Sequence, residues 1–435
     1  MATREPGADQ APALSNVGGS PFTRGKTIHG TAQAPANLPG EWPQWRGADR
    51  SGIASNLPPL ARSWADHPPR MLWTIDVGEG YAGAAVREGR VYLMDYDRDA
   101  KQSALRCLSL ADGQELWRFA YPLSIKRNHG MTRTVPAISD SAVVAMDSKC
   151  NVVCVDATNG EFRWGIDLTA DFGATVPQWY AGQCPLIDNG AVILAPGGDN
   201  ALLIAVDLGN GKPLWKSPNP RQWKMTHSSV TPMEFGGQRM YVYCGSGGVA
   251  GVSATNGTLL WDTDAWKVSL ATVPSPLPLP GGRVFLSGGY NSGAVMLQLT
   301  ETGGRISAAV QYRLAADVFG ATQHTPILYD NHIYGVRPSG AFVCLNLDGK
   351  PLWASPVGQD FGLGPFLLGD GLFLALNDSG KLTLIEAGAA RFNKLGEIQA
   401  LKGDESWGPM ALAGGRLLLR DLTHLACFDI AASPQ

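Results

Sequence analysis

The sequence contains little charge and no long hydrophobic run. Charged residues make up 17% of the 435 residues, and the formal net charge is −3. Because the two signs are interspersed and no basic stripe occurs, nucleic acid is not an expected partner. No apolar run approaches the roughly 18 residues that a membrane-spanning helix needs. The sequence therefore predicts no membrane span.

Several signatures of catalytic and metal sites are also missing. The chain has neither a Gly-x-x-x-x-Gly-Lys phosphate loop nor a Gly-x-Ser-x-Gly elbow, and its 7 histidines show no short paired spacing. The acidic stretch 95–99 lacks the regular ligand spacing of known Ca²⁺ loops. Motifs alone therefore predict no catalytic residue and no metal site.

The first 40 residues have a different composition from the rest of the chain. They are rich in Ala, Pro and Gly and have no apolar segment typical of a signal peptide. Such a composition buries too little apolar surface to offset chain entropy. We expect a disordered tail over residues 1–40 and one folded domain over residues 41–435. The cellular location stays open between the cytoplasm and export by a signal upstream of Met1.

Glycine is abundant, and it recurs in a fixed motif. In five segments a turn glycine stands four residues before a tryptophan, the pairs being Gly113 and Trp117, Gly160 and Trp164, Gly211 and Trp215, Gly257 and Trp261, and Gly349 and Trp353. Asn-Gly or Asp-Gly supplies the positive φ angles of a tight hairpin. Each motif therefore predicts a hairpin whose outgoing strand carries the tryptophan.

A second series of short apolar strands marks eight repeating units. Its central residues are Val91, Val143, Val192, Met240, Val284, Ile333, Leu372 and Leu417, at intervals between 39 and 52 residues. This is the length of a four-stranded propeller blade. The last unit, 409–430, has only three strands, whereas an isolated strand, 71–75, precedes the first unit. We predict an all-β, eight-bladed β-propeller of four-stranded antiparallel blades, closed by the N-terminal strand.

The repeats resemble those of the PQQ-like propeller family, whose blades carry an Ala-x-Asp-x-x-x-Gly-x-x-x-Trp pattern. Residues 155–164 and 206–215 fit this pattern well, and residues 42–47, WPQWRG, resemble the opening motif of bacterial members. The resemblance covers about residues 42–430. It implies that the tryptophans dock neighbouring blades, here Trp73, Trp117, Trp164, Trp215, Trp261 and Trp353.

The resemblance admits two functions. The enzymatic branch of the family binds PQQ with Ca²⁺, uses an aspartate base, and often has a disulfide between adjacent cysteines. This sequence has no adjacent cysteine pair and no Cys-x-x-Cys-His haem motif. The leading hypothesis is a non-catalytic, monomeric scaffold of the cell envelope that binds a protein or small ligand without a cofactor. The alternative is a PQQ- and Ca²⁺-dependent oxidoreductase acting on alcohols or sugars.

The candidate binding residues precede the innermost strands of their blades, where loops surround one mouth of a propeller channel. They are Tyr81, His129, Arg133, Trp179, Tyr180, His227, His324 and Trp407. Such a ring of aromatic, imidazole and guanidinium groups is suited to a polar or planar ligand. Two alternatives remain: the residues plug the channel and fix loops, or Trp179, Tyr180 and Trp407 stack on carbohydrate.

Overall fold

The computed structural model describes residues 22, 25–32, 35–65 and 67–432. Most of the predicted tail, residues 1–21, 23–24 and 33–34, lies outside the described residues. Three strands precede the first blade: β1 (Lys26–His29), β2 (Ile53–Ala54) and β3 (Arg70–Asp76). No helix among the described residues is long and apolar enough to cross a membrane.

The first four blades follow in chain order. Blade 1 contains β4 (Ala85–Arg87), β5 (Arg90–Asp97), β6 (Gln102–Ser109) and β7 (Glu115–Pro122). Blade 2 contains β8 (Ala137–Ile138), β9 (Ala142–Met146), β10 (Asn151–Asp156) and β11 (Phe162–Asp167), and the short helix α1 (Leu168–Phe172) follows it. Blade 3 contains β12 (Leu186–Asp188), β13 (Ala191–Leu194), β14 (Ile204–Asp207) and β15 (Pro213–Lys216). Blade 4 contains β16 (Thr231–Phe235), β17 (Gln238–Gly245), β18 (Gly248–Ser253) and β19 (Leu259–Thr263).

The remaining blades repeat this order. Blade 5 contains β20 (Leu277–Leu279), β21 (Arg283–Gly288), β22 (Gly293–Thr302) and β23 (Arg305–Leu314). Blade 6 contains β24 (Ile327–Tyr329), β25 (His332–Val336), β26 (Phe342–Asn346) and β27 (Pro351–Ala354). Blade 7 contains β28 (Phe366–Gly369), β29 (Leu372–Leu376), β30 (Lys381–Glu386) and β31 (Lys394–Gln399). Blade 8 contains β32 (Ala411–Ala413), β33 (Arg416–Arg420) and β34 (His424–Asp429), completed by β3.

The predicted eight-bladed propeller is confirmed. Within the described residues the blade strands form eight sheets with antiparallel neighbours, and the first strands of several neighbouring blades contact one another, as β32 contacts β4. In blade 8 the N-terminal β3 pairs antiparallel with β34, with Trp73 opposite Cys427 and Ile75 opposite Leu425. The two ends of the chain therefore meet in one sheet, which removes an open edge.

The core lies between blades, where tryptophans and turn glycines meet. The indole N–H of Trp117 donates to the carbonyl of Thr158 in blade 2 at 2.9 Å. The same donation to the following blade occurs, at 2.9–3.2 Å, from Trp73, Trp164, Trp215 and Trp353. Trp261 differs, because its indole lies 3.3 Å from the sulfur of Met240 in its own blade. In blade 5, Tyr312 takes the tryptophan position and donates to the Leu347 carbonyl at 3.1 Å.

Part of the predicted tail is ordered on the outside of the ring. β1 pairs antiparallel with β7 at the outer edge of blade 1, and Phe22 is buried against Tyr121 and Phe162. The side chain of Thr27 also donates to the Gly160 carbonyl of blade 2 at 2.8 Å. Composition does not predict this arrangement, because a few apolar residues suffice when a ready sheet edge supplies the hydrogen bonds.

The segment 42–54, which we call the plug, lies inside the channel. Trp42 is buried and forms a bridge with Val86 of the innermost strand β4. β2, at the other end of the plug, pairs in parallel with β28 on the channel side of blade 7. The plug therefore has its two ends on blades 1 and 7, which lie on either side of blade 8.

Candidate functional site

The connections that lead from the outer strand of one blade to the innermost strand of the next lie at one end of the axis, since all blades share one strand order. We call this end the upper mouth. All eight residues of the candidate site lie on such connections, which precede β4, β8, β12, β16, β24 and β32. The fold thus carries them to one end of the propeller.

Tyr81 links several of these residues. Its ring lies 5.3 Å from that of Trp407, and the Arg133 guanidinium lies 5.7 Å from the centre of the same ring. The Tyr81 hydroxyl donates to a carboxylate oxygen of Glu405 at 2.6 Å. Side chains from blades 8, 1 and 2 are therefore packed into one unit at the upper mouth.

Arg133 is fixed by main-chain acceptors. Its Nη2 atom donates to the carbonyls of Asn128 and His129 at 2.8 and 2.6 Å. The Nη1 atom is buried and has no hydrogen-bond partner among the described residues. Burial lowers the pKa of Arg133 to about 10, an effect opposed by the phenol groups of Tyr81 and Tyr180. The guanidinium therefore stays charged at neutral pH.

Two of the predicted residues adopt left-handed backbone conformations. φ is +49° at His129 and +69° at Tyr180. Tyr180 is buried, its hydroxyl donates to the Lys126 carbonyl at 2.7 Å, and the Lys149 ammonium lies 5.0 Å from its ring centre. Tyr180 thus joins the connection before β12 to the one before β8.

His227 packs against the same group. Its ring lies 6.2 Å from that of Trp179, and it covers Gly182 so closely that a Cβ there would lie 2.8 Å from the imidazole Cδ2. Burial, with a further contribution from the charge of Arg133, lowers the pKa of His227 to about 3. The imidazole is therefore neutral near pH 7. The imidazole forms a backbone hydrogen bond with Tyr180, which partly opposes this lowering of the pKa, and its Nε2 atom is buried.

His324 has different neighbours. Its Nε2 atom lies 2.7 Å from the Leu363 carbonyl, and its ring lies 6.4 Å from that of Phe366. Burial, aided by the charge of Arg46, lowers its pKa to about 4. The described contacts thus connect seven of the eight residues to one another, whereas those of His324 lead to blade 7 and the plug.

The plug contributes two buried arginines that sequence reasoning did not assign to the site. Arg46 donates to the carbonyls of Thr325 and Pro326, at 2.6 and 2.8 Å, just before β24. Arg50 donates to the Val230 carbonyl at 2.7 Å, just before β16, and also to that of Pro185. Burial lowers the pKa of Arg46 to about 9 and that of Arg50 to about 10. These arginines tie blades 3, 4 and 6 to the plug.

A chain of hydrogen bonds runs around the channel at the same level. From four successive blades, a main-chain N–H donates to a side chain of the next blade: Val135 to Cys184 (3.3 Å), Cys184 to Ser229 (3.0 Å), Ser229 to Ser275 (2.8 Å) and Ser275 to Thr325 (2.8 Å). We call these five residues the girdle.

The WPQWRG motif marks the plug in the sequence, but no local signal indicates which distant carbonyls the arginines of the plug contact.

The carboxylates at the upper mouth do not fit a Ca²⁺ ion. Ca²⁺ in proteins takes six to eight oxygen ligands. Asp378 accepts a hydrogen bond from the Trp407 indole at 2.7 Å, and Glu405 accepts one from Tyr81. No group of three or more His, Cys, Asp or Glu side chains suited to a metal ion occurs among the described residues. The donor set thus offers a Ca²⁺-dependent cofactor no evident place.

Comparisons with known proteins identify the repeats and the fold. The family model described as outer membrane protein assembly factor BamB matches residues 64–176 and 100–355. No curated protein matches the chain by sequence. The structure of BamB from Moraxella catarrhalis is 12% identical and superposes with a TM-score of 0.56, covering 83% of this chain and 99% of that one.

Enzymes share the fold as well. The quinohemoprotein alcohol dehydrogenase ADHIIG from Pseudomonas putida HK5 is 13% identical, with a TM-score of 0.61, covering 92% of this chain and 81% of that one. The corresponding enzyme from Comamonas testosteroni is 11% identical, with a TM-score of 0.51, covering 92% and 82% of the two chains. At such identities the likeness concerns the fold alone, and function depends on the site.

Proposed function

This chain belongs to the PQQ-like β-propeller family, and from that premise we propose that it is a non-catalytic, monomeric scaffold that binds a protein or small ligand at the upper mouth. The observation that carries the proposal is the packed cluster of Tyr81, Arg133, His227 and Trp407, drawn from four different connections. Residues so distant in sequence share a surface there, and one of them, Arg133, holds a polar atom without a partner among the described residues.

The family model supports a place in the cell envelope, because it describes an outer membrane protein assembly factor. The carboxylates of the mouth support a role without a metal-bound cofactor, because Asp378 and Glu405 already accept hydrogen bonds from Trp407 and Tyr81. Ligand recognition then depends on aromatic surface and hydrogen bonding.

A binding experiment tests the site. Saturation-transfer NMR with a library of small planar, polar and saccharide compounds should reveal binders that are lost in the Trp179→Ala and Trp407→Ala variants. Leu214→Ala is the matched control, because Leu214 is 56% exposed on an outer strand remote from the mouth. Binding that survives both tryptophan substitutions, or is lost equally in the control, would refute a site at the upper mouth.

An activity assay tests the non-catalytic part. The protein is incubated with PQQ and Ca²⁺, and dye reduction is followed with a panel of alcohols and sugars. We expect no turnover above that of a heat-denatured sample. Turnover that needs both PQQ and Ca²⁺ would favour the oxidoreductase alternative.

A further inference from the structure

The upper mouth buries a positive charge that has no direct ion pair among the described residues. Arg133 is charged at neutral pH, and the groups whose charges act on it are the phenols of Tyr81 and Tyr180, which are neutral there. Acidic side chains of nearby connections are engaged elsewhere: Glu405 accepts from Tyr81, and Glu79 pairs with Arg127 at 2.6 Å. Arg133 thus has no carboxylate in direct contact, and an anion is a complementary ligand for its buried guanidinium.

One donor is available for such an anion. The Nη1 atom of Arg133 is buried and has no hydrogen-bond partner among the described residues, whereas the imidazole of His227 forms a backbone hydrogen bond with Tyr180. Arg133 is held in place through Nη2, and His227 is held against Gly182. A carboxylate oxygen is a strong acceptor for a guanidinium N–H.

Aromatic rings lie beside Arg133 and His227. Tyr81, with Trp407 beside it, lies against the Arg133 guanidinium, and Trp179 lies beside His227. A ligand held by Arg133 would thus have aromatic surface on either side of its carboxylate. Because the Nη1 atom of Arg133 is covered in this structure, the ligand enters only when neighbouring side chains move apart.

We propose that the upper mouth binds an organic monocarboxylate, whose carboxylate accepts from the Nη1 atom of Arg133 next to His227 and whose apolar part packs against Tyr81, Trp179 and Trp407. The inference rests on the proposed binding function and names its ligand class. The carboxylate belongs either to a small organic acid or to the C-terminus of a peptide, and the probes below distinguish these sources.

Isothermal titration calorimetry with matched probes tests the proposal. Benzoate and benzamide differ in charge but little in shape, and N-acetylphenylalanine and its primary amide form the corresponding pair for a peptide C-terminus. We expect at least one acid to bind about tenfold or more tightly than its amide. Arg133→Gln should abolish that preference, whereas Arg127→Gln, on the same connection but paired with Glu79, should keep it.

A second measurement covers the case in which Arg133→Gln does not fold. In the wild-type protein, a bound carboxylate offsets the Arg133 charge, so the acid should raise the pKa of His227, measured by NMR titration, and the amide should not.

The outcomes separate the inference from the proposed function. An acid preference that depends on Arg133 supports the inference. Equal binding of acid and amide, or an acid preference unchanged in Arg133→Gln, overturns the carboxylate but leaves a binding site at the mouth. If none of the four probes binds while library compounds are lost in Trp179→Ala, the inference fails and the proposed function stands. If library compounds also fail to bind at the mouth, both fail.

Discussion

At the scale of single residues, a turn glycine and the tryptophan of the preceding blade form one packing unit. At Gly160, φ is +74° and a Cβ would lie 2.4 Å from the Trp117 ring. The glycine is therefore needed for two reasons: it allows the positive φ of the turn, and it leaves room for the tryptophan ring. The irregular contact of Trp261 has a physical reason: after Trp261, blade 5 has a long hairpin that turns at Gly303 and Gly304, outside the motif.

Gly160→Ala should be far more destabilising than Gly190→Ala. Both glycines have φ near +75°, but nothing lies within 4 Å of a Cβ at Gly190. Alanine at either position strains the backbone by about 1–2 kcal/mol, and at Gly160 it also displaces Trp117. Urea unfolding monitored by tryptophan fluorescence gives the two free energies. Equal losses would show that the glycine serves the turn alone.

Two buried histidines should make the protein less stable in acid. The pKa values of His227 and His324 are lowered to about 3 and about 4, below that of an unfolded histidine near 6.5. The unfolded state therefore binds more protons, so their stabilising contribution is full above pH 6.5 and is lost as the pH falls towards 4. Between pH 7 and pH 5 each should account for roughly 1–2 kcal/mol.

The His227→Gln and His324→Gln variants test this effect. Urea unfolding is measured at pH 7 and at pH 5. Between these two pH values, the free energy of unfolding should fall less in each variant than in the wild type. The comparison across pH separates protonation from lost packing, which affects both pH values alike. A wild-type acid dependence retained in full by the double variant would contradict the pKa shifts.

The repeat predicts equivalent positions for Tyr81, His227 and Trp407, because each of them precedes the innermost strand of a blade. The sequence does not predict the contacts of Arg46 and Arg50, because their acceptors lie far along the chain. Periodicity indicates what is equivalent between blades, whereas the plug occurs once and has no equivalent. The same limit explains β1, whose pairing with β7 depends on an available edge and not on its own composition.

At the scale of elements, the plug joins blades that do not otherwise touch. The girdle connects blades 2 to 6 through small side chains, and Gly83, Pro365 and Pro409 hold the corresponding positions in blades 1, 7 and 8. Several main-chain carbonyls next to the girdle face the plug and accept hydrogen bonds from it. Arg46 and Arg50 supply the donors from a single segment.

Arg50→Met should therefore strongly destabilise the propeller. Methionine also has an unbranched side chain, but it has no donors for the carbonyls of Val230, Cys184 and Pro185. Leaving these carbonyls buried and unpaired is expected to cost about 3 kcal/mol or more. Arg62→Met is the control, because Arg62 is 54% exposed and pairs with Asp370 at the surface. Similar unfolding free energies for the two variants would mean that the plug contributes little to holding the ring.

At the scale of the whole molecule, the ring is closed by residues from both ends of the chain, and its thiols are internal. Asp76 of β3 is opposite His424 of β34, and their side chains approach to 3.7 Å. All seven native cysteines are free and buried, and burial raises the pKa of Cys244 and Cys427 to about 12. The native thiols should therefore react slowly. Cysteines introduced into β3 and β34 can then be oxidised selectively to test whether these strands close the ring.

The double variant Asp76→Cys with His424→Cys should form a disulfide across the closing strand pair. Directly opposed residues of an antiparallel pair have Cα atoms about 4.5–5.5 Å apart, within the range of a disulfide. Because the bond would span nearly the whole propeller, it should raise the unfolding free energy by roughly 2–5 kcal/mol, and reductant should reverse the gain. Thiol titration of the oxidised protein in denaturant should still find the seven native thiols. The single variants Asp76→Cys and His424→Cys control for the substitutions themselves. If the two new thiols stay reduced under mild oxidation while the protein remains folded, β3 does not close the ring.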